Sequence, residues 1–223
     1  MTLALYAHPF SSYSQKALIA LYANGIAFEY RNLEDPAHQQ ALETLWPMKR
    51  FPVLVDSAAE AGTQPVIEAT AIIEYLHVRH PGPVRLLPDD PLAAVQVRML
   101  DRFFDNYVST PQQKLVFDAI RPAADRDAYG VGEATRMLDI AYVWLERHLA
   151  DGRCWATGDT PSLADCGAAP FLFYADWTYP IPHGLGLVHA YRARLLAWPA
   201  FARAVDEARP FRSYFPLGAP DRD

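Results

Sequence analysis

The chain has 223 residues, of which 51% are hydrophobic and 13% aromatic, so it can bury one large core or two modest ones without covalent staples. Its net charge is −6, and its 20 Lys and Arg residues form no run, which argues against nucleic acid or an anionic membrane as partner. Two cysteines, Cys154 and Cys166, have neither C-x-x-C nor metal-ligand spacing, so a reducing, cytoplasmic setting is expected, with no metal and with both thiols buried.

The chain opens on "TLALYA", a short strand that ends in a Pro loop. The opening residues carry no basic run and reach a Pro early, so no signal peptide is expected here, and the longest apolar stretch, "CGAAPFLFYA", is half of the roughly 20 residues a membrane helix needs. Residues 12–24 carry Ala17, Leu18, Leu21 and Tyr22 as a helical stripe stopping at "NG". "IAFEYRNL" reads as a second strand, and "PAHQQALETLW" as a helix with Pro36 at an acceptable first position. "FPVLVDS" and "QPVIE" are two more strands, joined by the hairpin-length "AAEAGT". "ATAIIEYLHVRH" is a helix with Ala71, Ile72, Tyr75 and Leu76 on one side. The order β-α-β-α-β-β-α predicts a mixed four-stranded sheet covered by helices over residues 1–80.

Residues 81–91, "PGPVRLLPDDP", hold four prolines and read as a linker. Residues 92–223 show only helical patterns. Residues 92–108 carry Leu92, Val95, Met99, Phe103 and Tyr107 on a face expected to be buried. Residues 131–149 and 162–177 follow, the latter opening on the capping-box pattern "SLAD". "GLVHAYRARLLA" and "PAFARAVDEA" close the series.

"SSYSQKALIAL" crowds Ser11, Ser12, Tyr13 and Ser14 at the start of the first helix, more hydroxyls than a cap requires. This stretch is similar to "SSCSWRVRIAL" of the zeta-class glutathione transferases. "PMKRFPVL" resembles their "PMKQVPTL", "EATAIIEYL" resembles "QSLAIIEYL", and "TPSLADC" matches their capping box. The chain thus resembles the cytosolic glutathione transferases of zeta or omega type, and related bacterial proteins, over nearly its whole length. The resemblance implies a thioredoxin-like N-terminal domain, an all-helical second domain, glutathione as co-substrate and a homodimer.

Carried over residue by residue, the resemblance makes Ser11 the hydroxyl that stabilises the glutathione thiolate. Ser12 is its helper, and Ser12 or Ser14 is the cap. Pro52 becomes the cis proline, and Val53 supplies backbone to the cysteinyl part of glutathione. Glu68 and Ala69 stand where the family holds the γ-glutamyl end, with Ala69 replacing a serine and Thr70 as a partial substitute. Lys49, with Arg50, falls in the loop that touches glutathione carboxylates in the family, and Gln40 falls where the glycyl end is reached. Tyr6 is a secondary candidate for the activating hydroxyl. Phe10, Phe103, Tyr107, Phe173 and Trp177 are candidates to line an apolar pocket for the second substrate. With no cysteine at position 11, thiol–disulfide exchange is disfavoured. The implied activity is conjugation of glutathione to a small electrophile, or glutathione-assisted isomerisation. A non-catalytic binding module and a glutathione-dependent peroxidase or dehalogenase are the alternatives.

Overall fold

A computed structural model describes residues 3–58 and 65–223. Most of the expected "AAEAGT" hairpin lies outside the described residues. Strands β1 (Leu3–Ala7), β2 (Glu29–Asn32), β3 (Val53–Asp56) and β4 (Pro65–Ile67) form one sheet in the order β2-β1-β3-β4. β2 runs parallel to β1, with Leu5 opposite Tyr30, while β3 is antiparallel to both β1 and β4. Side chains alternate across the sheet. Leu3, Leu5, Ala7 and Leu54 meet α1 (Ser12–Ala23) and α3 (Ala69–Arg79) on one face. Tyr6 and Val53 meet α2 (Pro36–Leu45) through Leu42 on the other.

The sequence stripe on α1 understates its burial. Every residue from Ser14 to Leu21 is buried, because this helix lies between the sheet and a helix of the second half, α7 (Leu163–Thr178). Lys16 is caught in that sandwich. Its ammonium sits 2.5 Å from Asp101 Oδ1 and 2.8 Å from Thr70 Oγ1, with the Phe171 ring centroid 5.5 Å away. Gly167 makes room for the pair, since a Cβ there would lie 3.2 Å from Asp101 Oδ1.

The helical half consists of α4 (Pro91–Phe103), α5 (Thr110–Ala119), α6 (Ala128–His148), α7, α8 (Gly186–Ala197) and α9 (Pro199–Ala208). Asp90 caps α4 by accepting from Ala93 N at 2.7 Å, with Pro91 in the first turn where no N–H is missed. The face expected to be buried is turned outward. Leu92, Val95 and Met99 are 78%, 55% and 50% exposed, and the buried positions are Ala94, Val97, Leu100 and Asp101. Between α4 and α5 the helix widens into a π turn, Phe104–Ser109. Pro111 has no N–H to give and its ring crowds the preceding turn, so the ladder loosens just ahead of it. The widened turn keeps Phe104 and Val108 in the core and leaves Tyr107 on the surface. Helix α5, absent from the sequence reading, begins immediately beyond.

α7 is buried along its whole length and starts from the expected capping box. Asp165 Oδ2 accepts from Ser162 N and Oγ, both at 2.8 Å. Its Oδ1 accepts from Ala156 N at 2.8 Å and Tyr191 Oη at 2.6 Å, so four donors satisfy this buried carboxylate. Past α9 the chain returns as a strap: Tyr214 Oη donates to Glu34 at 3.0 Å, linking the C-terminal segment to the sheet half.

Candidate active site

A cleft of about 850 Å³ opens between the two halves. One wall comes from the sheet half: the loop after β1, the N-terminus of α1, the turn before β3 and the N-terminus of α3. The facing wall comes from the π turn, α5, α7 and the C-terminal strap.

Ser11 is the N-cap of α1, its Oγ accepting from Ser14 N at 3.3 Å. Among the described residues this hydroxyl donates to no protein acceptor, so its proton is free for a group in the cleft. The cap expected from Ser12 or Ser14 therefore falls on Ser11. Ser14 is buried and accepts from His8 N at 3.3 Å, which ties the loop to the helix. Ser12 lines the cleft beside Ser11. His8 braces the loop from behind. Phe10 N donates to its Nδ1 at 3.1 Å, so that nitrogen is unprotonated and Nε2–H faces Glu34 Oε1 at 2.8 Å. Phe211 and Tyr214 of the strap pack on the same ring.

The Phe51–Pro52 peptide is cis. Phe51 and Pro52 line the cleft, whereas Val53 is fully buried in the sheet between Tyr6 and Ile67. Phe51 and Pro52 are thus the residues of this turn that line the cleft. Glu68 sits in the left-handed region at φ +67°, where a side chain is strained, and leads into α3. Among the described residues α3 has no side-chain cap, so its first N–H groups carry the positive helix end toward the cleft without a side-chain partner. Ala69 opens this helix. Thr70 does not replace the absent serine hydroxyl. Its Oγ1 accepts from Lys16 and from Arg102 at 2.7 Å and donates to Asp101 at 2.8 Å, which uses its full capacity.

Other candidates fall elsewhere. Lys49 lines the cleft and is paired with Glu43 at 2.7 Å. Gln40 is exposed on α2 and is not part of the cleft wall. Tyr6 points to the α2 face of the sheet, where Arg31 donates to its hydroxyl, and cannot act on a group in the cleft. Phe10 lines the cleft, but the four other aromatic candidates do not. Phe103 packs on Trp144 at 4.3 Å on the outer surface, Tyr107 is beside it, and Trp177 is buried beneath Tyr174 and Phe215. Phe173 lies in the same inner stack. The outward turn of α4 and the π turn carry Phe103 and Tyr107 away from the cleft, and burial of α7 takes Phe173 and Trp177 into the core. On the facing wall, α5, α7 and the strap bring Phe117, Tyr174, Tyr214 and Phe215 to the opening. The strap pair was missed, although "RPFRSYFP" holds the signal: three aromatics in a segment too proline-broken to be a packed helix.

Tyr13 also lines the cleft, with Oη 2.6 Å from Asp105 Oδ1. Burial, then Asp105, push its phenol up to about 12, so it stays protonated and is no base near neutrality. Of the cysteines, Cys166 is buried and its thiol is pushed well up by that burial, while Cys154 is exposed, contrary to expectation. Neither lines the cleft.

A cleft between a thioredoxin-like sheet and a helical bundle, with a hydroxyl cap on one side and an open helix N-terminus on the other, is the architecture of a glutathione transferase. Residues 5–84 match the family model for the glutathione S-transferase N-terminal domain, and residues 131–216 match that for the C-terminal domain. The chain belongs to the glutathione S-transferase superfamily. It is 29% identical to a maleylpyruvate isomerase of Ralstonia sp., over 90% of this chain and 95% of the relative. It is 27% identical to a maleylacetoacetate isomerase of Pseudomonas aeruginosa, over 97% of each. A glutathione S-transferase of Methylobacterium radiotolerans, solved in complex with glutathione sulfonate, superposes with a TM-score of 0.77 at 27% identity, covering 92% of this chain and 95% of that one.

Proposed function

We propose that this chain is an enzyme that binds glutathione along the sheet half of the cleft, ionises its thiol at Ser11, and presents the thiolate to a small electrophile for conjugation or isomerisation. The observation that carries the reading is the Ser11 hydroxyl, which accepts at the helix N-terminus while keeping its proton for the cleft. A hydroxyl donor and the positive end of α1 both favour sulfur as thiolate. The uncapped start of α3, at Ala69, takes the γ-glutamyl carboxylate through backbone N–H groups. Phe51 and Pro52 flank the cysteinyl part, and Lys49 borders the glycyl end.

Ala69 leaves that carboxylate without a hydroxyl donor, and Thr70 is fully engaged. Calorimetric titration with glutathione is expected to show micromolar to low-millimolar binding. Ala69→Ser is expected to tighten it roughly tenfold, the effect of one added hydrogen bond to a charged group. If neither protein binds glutathione, the chain is instead a binding module that keeps only the shape of the family.

The same reading includes a homodimer. Leu92, Val95 and Met99 on α4 and Ile140 on α6 are exposed, and the Phe103–Trp144 contact joins the two helices into one apolar face. A face of this kind marks an interface. Met99→Glu is expected to shift sedimentation from dimer to monomer with little change in the helical circular dichroism signal. A wild-type monomer at high concentration would remove the dimer from the reading.

A further inference from the structure

The helical wall of the cleft has a polarity of its own, and what it selects rests on the transferase reading above. Arg102 holds Asp105 Oδ2 at 2.8 Å, and Tyr13 Oη approaches Oδ1 at 2.6 Å. A carboxylate paired with arginine only accepts, so the phenol donates to it. The oxygen of Tyr13 is then an acceptor for its other neighbours, Ser109 Oγ at 3.3 Å and Gln113 Nε2 at 3.4 Å. Gln113 Nε2 also donates to Ser109 Oγ at 2.9 Å. Donation thus runs one way, toward Asp105, and it fixes how the Gln113 amide is turned: nitrogen inward, carbonyl oxygen away.

Gln112 shows the same orientation by a separate route. Its Nε2 donates to Thr178 Oγ1 at 3.0 Å, and that hydroxyl in turn donates to Tyr174 O at 2.8 Å. Gln113 thus spends two N–H donations and Gln112 one on the protein, and neither carbonyl oxygen is used there. Both residues line the cleft, next to Val116, Phe117, Tyr174 and Phe215. The basic side chains bordering the cleft, His8, Lys49 and Arg50, all belong to the sheet half; among the described residues the helical wall has none.

We infer that this wall recognises an uncharged, largely apolar electrophile through a hydroxyl or amide N–H on the substrate, received by the Gln113 carbonyl, and that it disfavours carboxylate substrates such as maleylpyruvate. A carboxylate brought to Gln113 would lose its water and meet a carbonyl oxygen there, with no cation on this wall to pair with it. The wall therefore favours conjugation of a donor-bearing electrophile over the isomerisation named for the two relatives.

The test uses glutathione with three electrophiles of one skeleton: β-nitrostyrene, its para-hydroxy form and its para-carboxy form, each rate divided by its uncatalysed rate. The hydroxy form is expected to exceed the parent in kcat/KM by roughly three- to tenfold, the size of one neutral hydrogen bond, with the carboxy form slowest. Gln113→Leu should remove the hydroxyl advantage, bringing the hydroxy form down to the rate of the parent measured with the same variant. Gln113→Lys should raise the carboxy form above the parent. A wild-type enzyme that uses the carboxy form as well as the hydroxy form overturns the inference, as does a Gln113→Leu variant that slows all three equally. Conjugation without any hydroxyl preference defeats the donor assignment alone. If none of the three is conjugated although calorimetry shows glutathione bound, the transferase reading fails and this selectivity with it.

Discussion

Ser11→Ala is expected to lower kcat/KM near neutral pH by roughly one to two orders of magnitude, the loss of a hydrogen bond to a charged group. The cause is a raised thiol pKa on bound glutathione, by about one to two units toward its free value. The sign is definite. The active form is the thiolate, so the acidic limb of the pH–rate profile moves to higher pH. The deficit is full below that limb and shrinks as the pH passes the free thiol value. Ultraviolet absorption of the bound thiolate, followed against pH, measures the same shift directly. Because Ser11 is also the cap of α1, alanine should destabilise the fold by about 1 kcal/mol as well. Ser11→Asp separates the two roles, since aspartate caps a helix but places a negative charge against the sulfur. It is expected to melt like the wild type and turn over no faster than the alanine variant. Unchanged turnover in Ser11→Ala would reduce Ser11 to a cap.

Lys16→Met should be the most destabilising single change outside the cleft. It removes the cation from a pair with side chains 1% and 0% exposed, leaving Asp101 with only Thr70 and Arg102. Breaking a buried pair from one side costs roughly 3–5 kcal/mol, which for a chain of this size lowers the melting temperature by about 10 °C. The double variant Lys16→Met with Asp101→Leu should recover most of that loss, because a matched apolar replacement leaves no orphaned charge. Thermal unfolding of the single and double variants checks this. Equal melting temperatures for the two would mean that packing, and not the stranded carboxylate, sets the cost.

Lys16 also shows where reading a sequence stops. A lysine beside apolar residues in a helix looks like a solvated head on a surface stripe. Its burial comes from α7 and its partner from α4, neither adjacent in the chain. The strands and the order of the first helices were legible because period-two alternation and stop signals are local. So was the capping box at Ser162 and Asp165, a four-residue pattern that recurs in the structure as drawn. The face of α4 was not legible, because Leu92, Val95 and Met99 have the same spacing whether they meet their own chain or another. The position of the hydroxyls at Ser11 and Ser12 was plain, but the division between cap and donor depends on where α1 begins. The strap and the π turn set which aromatics reach the cleft, and both depend on contacts made across the fold.

The burial of α1 on all sides has a consequence for how such chains can diversify. By sequence this helix belongs with the sheet, yet its second face is held by α7 and its lysine by α4. The boundary between the halves is therefore one of chain order only. Recombining the sheet half with the helical half of a relative would strand an ammonium in an apolar seam, unless the new partner brought both a carboxylate at the place of Asp101 and a small residue at that of Gly167. Substrate range in this chain is expected to change by point replacement on the cleft wall rather than by exchange of whole halves.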